Sequence, residues 1–302
     1  MFCIANRHAR KFRKNPKLLD HLEKALGKST DLFKSDSLKS THQFLKLIKE
    51  KEASKLLVCG GDGTLHHTIN SLINIWQDQP LPKLMIVPAG TMNVAFKSLW
   101  PKKKKNAVFK DLLNERGITA TRQLILLRIN STYGFIGAIG GFSKFIEQYA
   151  RKPDPNPLRA IRMITMQTAQ NIMNTRHQET MFSHFLASVV VDGVPLKSEK
   201  YRTVSAACIS HIGFGFHFFP DAQQNLEQLG AFILSGSSLG MVKKIVPLFM
   251  GKKSNGRDFL QIPFRTMHVD TLKPLRLMMD GELLETSNHF EFTIGPTLEF
   301  IT

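Results

Sequence analysis

Three glycines fall within four residues at the point where an apolar run gives way to a helical period. Lys55-Leu56-Leu57-Val58-Cys59 leads into Gly60-Gly61-Asp62-Gly63-Thr64, after which Leu65, Ile69, Leu72, Ile73 and Trp76 mark one helix face. Glycine lets the backbone approach a ligand closely, and a helix N-terminus presents N–H groups with partial positive charge, so the chemistry on offer is phosphate binding. Within the turn, Asp62 could hold Mg²⁺ through water and Thr64 could donate its hydroxyl. The same design recurs where the apolar run 84–87 meets Pro88-Ala89-Gly90-Thr91. The first turn is not a Walker A loop, because no Gly-Lys-Ser/Thr follows, and it lacks the G-x-G-x-x-G spacing of the dinucleotide fingerprint. A tight strand-to-helix connection with Asp62 as a capping residue explains the same letters equally well.

The elements that must position these turns alternate strand and helix over residues 1–100, the pattern of a parallel α/β sheet. An apolar run covers 2–6. Asn15-Pro16 reads as N-cap and first helical residue ahead of Leu18, Leu19, Leu22, Ala25 and Leu26, with Gly27 as the stop. A second helix is expected over 37–52, its stripe formed by Leu38, Thr41, Leu45 and Ile48. The strand ends at Asn6, Gly60–Thr64 and Gly90-Thr91 should then face one crevice, the usual ligand position in open α/β sheets. From about residue 119 the pattern changes to short β-rich runs at 124–129, 185–191, 204–209, 213–219, 275–279 and 290–294. Turn signals lie between them at Asp192-Gly193, Asn255-Gly256 and Asp280-Gly281. An antiparallel β-sandwich is expected, with domains of 1–122 and 123–294 and residues 295–302 returning to the first. A helix is expected over 159–175. Alone, Asp280-Gly281 reads as an ordinary hairpin turn.

With 302 residues, 42% of them hydrophobic, the chain can build a packed core and is not of the disordered class. Its 41 Lys and Arg against 24 Asp and Glu give a net charge of +17, which leaves nucleic acid, an anionic membrane and a phosphorylated substrate as partner classes. Cys3, Cys59 and Cys208 are scattered, so neither a disulfide framework nor a structural zinc site is implied, and a reducing cytosol fits. No secretory signal and no stretch of about 18 apolar residues is present, so a cytoplasmic or membrane-peripheral location is expected. The lysines at 102–105 and the segment 240–253 are candidates for contact with acidic lipid.

Several stretches together resemble the diacylglycerol kinase catalytic-domain superfamily, the lipid kinases that include soluble bacterial diacylglycerol kinases and eukaryotic sphingosine and ceramide kinases. Gly60-Gly61-Asp62-Gly63-Thr64 is similar to its GGDGT motif, and Pro88 to Asn93 to its P-x-G-T-x-N segment. Residues 137–143 are similar to its glycine-rich segment, and Asp280-Gly281-Glu282 to its DGE. The resemblance implies a three-layer α/β nucleotide domain, related to phosphofructokinases and NAD kinases, followed by a β-sandwich. It also implies ATP and Mg²⁺ as cofactors. Asn6, Lys11, Ser35, Gly60, Gly61, Asp62, Gly63, Thr64, Gly90, Thr91 and Asn93 would bind nucleotide, with Asp62 reaching metal through water. Asp280 would be the general base and Glu282 its support.

The departures from the family pattern mostly remove carboxylates. His67 stands three residues after GGDGT where the family has Glu, Val94 replaces an Asp, residues 123–127 hold no acid, and Leu229 replaces an Asp. Arg7 and Arg10 replace a proline and a glycine of the first motif. The expected function is an ATP-dependent lipid kinase acting on the hydroxyl of a diacylglycerol-like or sphingoid lipid at the membrane surface. Its partners would be lipid substrate and anionic membrane rather than nucleic acid, and a homodimer is left open. The alternatives are a nucleotide- or lipid-binding pseudokinase, motivated by the missing carboxylates, and, with less support, an NAD kinase.

Overall fold

The computed structural model describes residues 1–27, 30–100, 120–150, 162, 163, 166, 183–210, 218–220, 222, 226–236, 256 and 259–301. Most of the expected 159–175 helix, the basic run 102–105, Phe214, Phe216, Asp221, Asn255 and the segment 240–253 lie outside them; Arg162, Met163 and Met166 are helical. The chain divides into two compact units, one made of Met1–Leu124 with Pro296–Thr302, the other of Ile125–Gly295. Among the described residues no helix is long and apolar enough to cross a membrane.

The first unit is a mixed-layer α/β sheet. In chain order it contains β1 (Phe2–Asn6), α1 (Arg10–Lys14), α2 (Lys17–Leu26), β2 (Asp31–Ser35), α3 (Leu38–Glu50), β3 (Lys55–Gly60), α4 (Asp62–Trp76), β4 (Lys83–Pro88) and α5 (Val94–Leu99). Its strands run parallel in the order β4-β3-β1-β2. Buried Leu56, Leu57, Val58 and Cys59 make β3 a continuous apolar strand, as expected for a sheet covered on both faces. Leu45 and Ile48 of α3 and Leu65, Ile69 and Leu72 of α4 are buried by the periodicity that predicted them. Ser37 caps α3, its hydroxyl accepting from the Ser40 amide at 3.1 Å in a reciprocal capping box.

Three details differ from the sequence expectation. The segment after β1 forms a short helix, α1, which Asn15 ends, so Asn15-Pro16 closes one helix before it opens another. Strand β2 has no apolar run because it is the sheet edge and stays partly exposed along most of its length. Helix α4 also starts at Asp62, inside the glycine turn, and not at Leu65.

The second unit is β-rich. Its elements are β5 (Thr121–Ile129, whose first residues belong to the other unit), β6 (Thr132–Gly134), β7 (Ile136–Gly140), α6 (Gly141–Ala150), β8 (Phe185–Val191), β9 (Val194–Pro195), β10 (Lys200–Tyr201), β11 (Thr203–Ala207), β12 (Leu229–Leu234), β13 (Phe259–Phe264), β14 (Thr266–Met279) and β15 (Glu282–Ile301). Antiparallel pairing runs β13-β12-β11-β7-β14, and β14 also pairs with β8 and β15. Phe232 is the centre of an aromatic cluster with Phe142, Phe218 and Phe259, at ring separations of 5.5, 4.7 and 4.8 Å. Phe218 and Phe219, expected on a strand, are buried coil residues of this core. Leu229 is fully buried on β12.

The end of β15 belongs to the first unit, where Phe300 pairs with Leu84 of β4 in parallel. Lys83 donates to Glu299 at 2.8 Å and fastens this strand. That bond, then a bond from Thr121 and the Lys83 charge, hold the Glu299 carboxyl below its ordinary value of 4.5. A depressed folded-state value stabilises the strand above the ordinary carboxyl range, and the contribution disappears as pH falls through the lowered value. Denaturant midpoints measured from pH 7 to pH 3 should therefore fall more for the natural chain than for Glu299→Gln, the difference opening below about pH 5.

Candidate functional site

The strand order places the reversal of winding between β1 and β3. The chain passes from β1 to β2 on one side, then crosses to β3 and β4 on the other. Such a switch point leaves a crevice at the carboxyl ends of the two central strands. Asn6 ends one of these strands and Gly60 the other. The Asn6 amide nitrogen donates to the Thr64 hydroxyl at 2.8 Å, and its oxygen accepts from the His8 amide at 2.8 Å. Asn6 therefore ties the first turn of α4 to the loop that begins α1.

Helix α4 opens at this point. Its N-cap is Gly61 in extended conformation, which supplies no side chain to cap the helix. The neighbouring turn lies directly against it: the Ala89 amide donates to the Gly60 carbonyl at 2.8 Å. A Cβ on Gly61 would lie 3.1 Å from Gly90 Cα, and one on Gly90 would collide with Gly61 Cα. Both glycines are needed so that the two turns can touch, whatever they bind. The amide of Lys11 donates to Ala89 at 3.0 Å and brings α1 against the same turn. Burial lowers the affinity of the half-buried Lys11 amine for its proton.

Asp62, Asn93 and Ser35 are held by structural partners. Asp62 Oδ1 accepts from the amides of Val94 at 2.7 Å and Ala95 at 3.4 Å, so this carboxylate caps α5 across the crevice. Asn93 is buried in left-handed conformation, and its side chain exchanges bonds with the Gly90 amide and carbonyl at 3.0 and 2.9 Å. Ser35 is also buried, its hydroxyl against Thr41 Oγ1 and the Ser37 carbonyl. Thr91 is exposed at the tip of the second turn, and His67 lies one helical turn beyond Thr64. Among the described residues no three His, Cys, Asp or Glu side chains are grouped to hold a metal ion. The described groups therefore offer amide donors to a phosphate through α4 and the glycine turns, and no cage of three protein ligands to a magnesium ion.

In the second unit Asp280 and Gly281 form the two-residue turn between β14 and β15, with Met279 opposite Glu282. Both have positive φ, at 53° and 92°, the conformation of the hairpin turn that favours Asp-Gly. Asp280 Oδ1 accepts from the amides of Phe135 at 2.9 Å and Ile136 at 3.0 Å, while its own amide donates to the Ile136 carbonyl at 2.8 Å. Its other oxygen lies over Gly134, where any Cβ would come within 2.5 Å of it. Burial, and then the Asp280 charge, push the Cys208 thiol well above its ordinary value. Glu282 makes no hydrogen bond to Asp280 and is partly exposed.

The Asp192-Gly193 turn repeats this arrangement. Asp192 Oδ1 accepts from the amides of Arg265 and Thr266 at 2.9 and 2.8 Å, and its amide donates to the Thr266 carbonyl at 2.9 Å. The twin was legible as a repeated Asp-Gly, but the shared bonding to a neighbouring strand was not. The contribution of Ala89, whose carbonyl and amide join α1, β3 and β4, left no mark in the sequence because it is made wholly by backbone.

The geometry of the first unit gives two stability predictions, read by urea denaturation. Gly90→Ala should cost about 1–3 kcal/mol by forcing the turns apart. Asp62→Ala should cost about 1–2 kcal/mol by uncapping α5.

The comparisons with known proteins agree with this architecture. No sequence relative is found among proteins of curated function. A diacylglycerol kinase from Bacillus anthracis str. Sterne shares the fold over 99% of this chain and 95% of its own, at TM-score 0.67 and 16% identity. Two further structures from that organism, described as candidate diacylglycerol kinases, cover 99% of this chain and 96% of their own at TM-score 0.71 and 16% identity. Residues 1–121, which hold the switch point and both glycine turns, match the family model of the diacylglycerol kinase catalytic domain.

Proposed function

We propose that the protein is an ATP-dependent lipid kinase that transfers the γ-phosphate to the hydroxyl of a diacylglycerol-like or sphingoid lipid. The observation that carries this reading is the N-terminus of α4, uncapped by any side chain of Gly61, at the β1/β3 switch point. Its amides and the Gly61–Gly90 contact offer a surface for the nucleotide phosphates, with Asn6, Thr64 and Lys11 around it. Magnesium receives no protein site in this reading.

Transfer through a loose transition state depends mostly on positioning and charge stabilisation. The lipid oxygen forms its bond to the γ-phosphorus as the bond from that phosphorus to the β–γ bridging oxygen breaks, and ADP leaves. The hydroxyl proton passes to the Asp280 carboxylate. The amides of Phe135 and Ile136 fix that carboxylate in place, which suits a base that orients a hydroxyl and accepts its proton late.

A nucleotide-binding protein without transferase activity is the second reading, favoured by the similar backbone bonding of Asp280 and Asp192. The twin supplies its own control. Transfer of labelled phosphate from ATP to a panel of lipids in anionic vesicles should fall about 10²–10⁴-fold in Asp280→Asn. Asp192→Asn should stay within about twofold of the natural chain. Equal activity in both variants removes Asp280 as the base, and no transfer to any lipid despite ATP binding supports the second reading. The positive charge also predicts that vesicle binding requires anionic lipid and weakens with added salt; indifference to both would contradict membrane docking.

A further inference from the structure

Helix α1, which carries a run of cations, lies against the turn that faces α4. The loop between β1 and α1 carries Arg7, and α1 adds Arg10, Lys11, Arg13 and Lys14 without an acidic residue in its first turn. Arg7 is paired with Asp36 at 3.2 Å, on the side of β2. Neither Arg10 nor Lys11 makes an ion pair through its side chain among the described residues. Both are partly buried, where an uncompensated positive charge is costly. The Lys11 amide is bonded to Ala89, so the two cations stand on the helix that lies against the Pro88–Gly90 turn. On the opposite side of the balance, one oxygen of the Asp62 carboxylate is spent on the amides of Val94 and Ala95, His67 follows Thr64 by one turn, and no three His, Cys, Asp or Glu side chains are grouped among the described residues.

We infer that Arg10, with Lys11, takes up the phosphate charge of the nucleotide directly, so that nucleotide binding does not depend on a divalent cation. This rests on the nucleotide-binding reading of the first unit. A guanidinium can bond two phosphate oxygens at once, and an arriving phosphate gives Arg10 and Lys11 a counter-charge that no side chain among the described residues provides. Magnesium carried by ATP would lower the charge that these residues meet, so metal-free ATP should bind at least as well as its magnesium complex.

Calorimetric titration of the full chain with ATP, in EDTA and in excess magnesium, tests this. The dissociation constant in EDTA is expected to lie within about threefold of that in magnesium or below it, and Arg10→Gln should weaken metal-free binding about tenfold. Lys24→Gln, at the far end of α2, makes the same change in net charge and should alter neither value appreciably. Binding in magnesium alone, with Arg10→Gln unaffected, would overturn the inference and leave the nucleotide site standing. Metal-free binding that Arg10→Gln does not weaken would overturn the role of Arg10. Failure to bind in either buffer would remove the inference and the nucleotide reading together.

Discussion

The first unit is built around one steric constraint: two backbone turns must touch where no Cβ fits. Gly61 and Gly90 meet at the carboxyl ends of β3 and β4, and the bond from the Ala89 amide to the Gly60 carbonyl holds them there. The other features of the crevice follow from that contact. Asp62 can reach α5 because the turns touch, and Asn93 can close its turn because Gly90 presents both backbone groups to it. A crevice fixed in this way keeps the first turn of α4 in place before any ligand arrives, which reduces the ordering cost of binding.

The same arrangement explains why single residues serve fold and site together. Asp62 lies within the turn proposed to bind phosphate yet spends one oxygen on capping, and Asn6 spends both ends of its amide on holding the turn. In the second unit Asp280 anchors a hairpin with the bonds that would also orient it toward a hydroxyl. Asp192 shows that the fold uses this anchor where no transfer chemistry is proposed. Bonding geometry alone therefore does not distinguish a base from a staple, and the distinction has to be chemical.

Most of the first unit was legible because its signals were periodic. Leu45, Ile48, Leu65, Ile69 and Leu72 repeat at helical spacing and are buried, and β3 reads as one apolar run. Edge strand β2 escaped because partial exposure removes the apolar run, and α1 escaped because five residues hold too few apolar positions to show a period. The glycine turns announced phosphate chemistry, but the letters could not show that Asp62, Asn93 and Ser35 are engaged by neighbouring backbone and hydroxyl groups. Most of those partners are main-chain atoms common to every residue, and the Thr41 hydroxyl meets Ser35 only once β2 and α3 are in place. Two of the positions read as short of a carboxylate have structural roles: Leu229 is core, and Val94 donates its amide to Asp62.

The central claim is that the first turn of α4 and the turn facing it bind nucleotide phosphate. Hydrogen exchange of the backbone amides with and without ATP tests it most directly, since those amides are the proposed ligands. New protection is expected to concentrate in residues 60–65 and 88–94, with the strands beneath unchanged. Saturating ATP that leaves both segments as they were, or that protects only residues of the second unit, would contradict it.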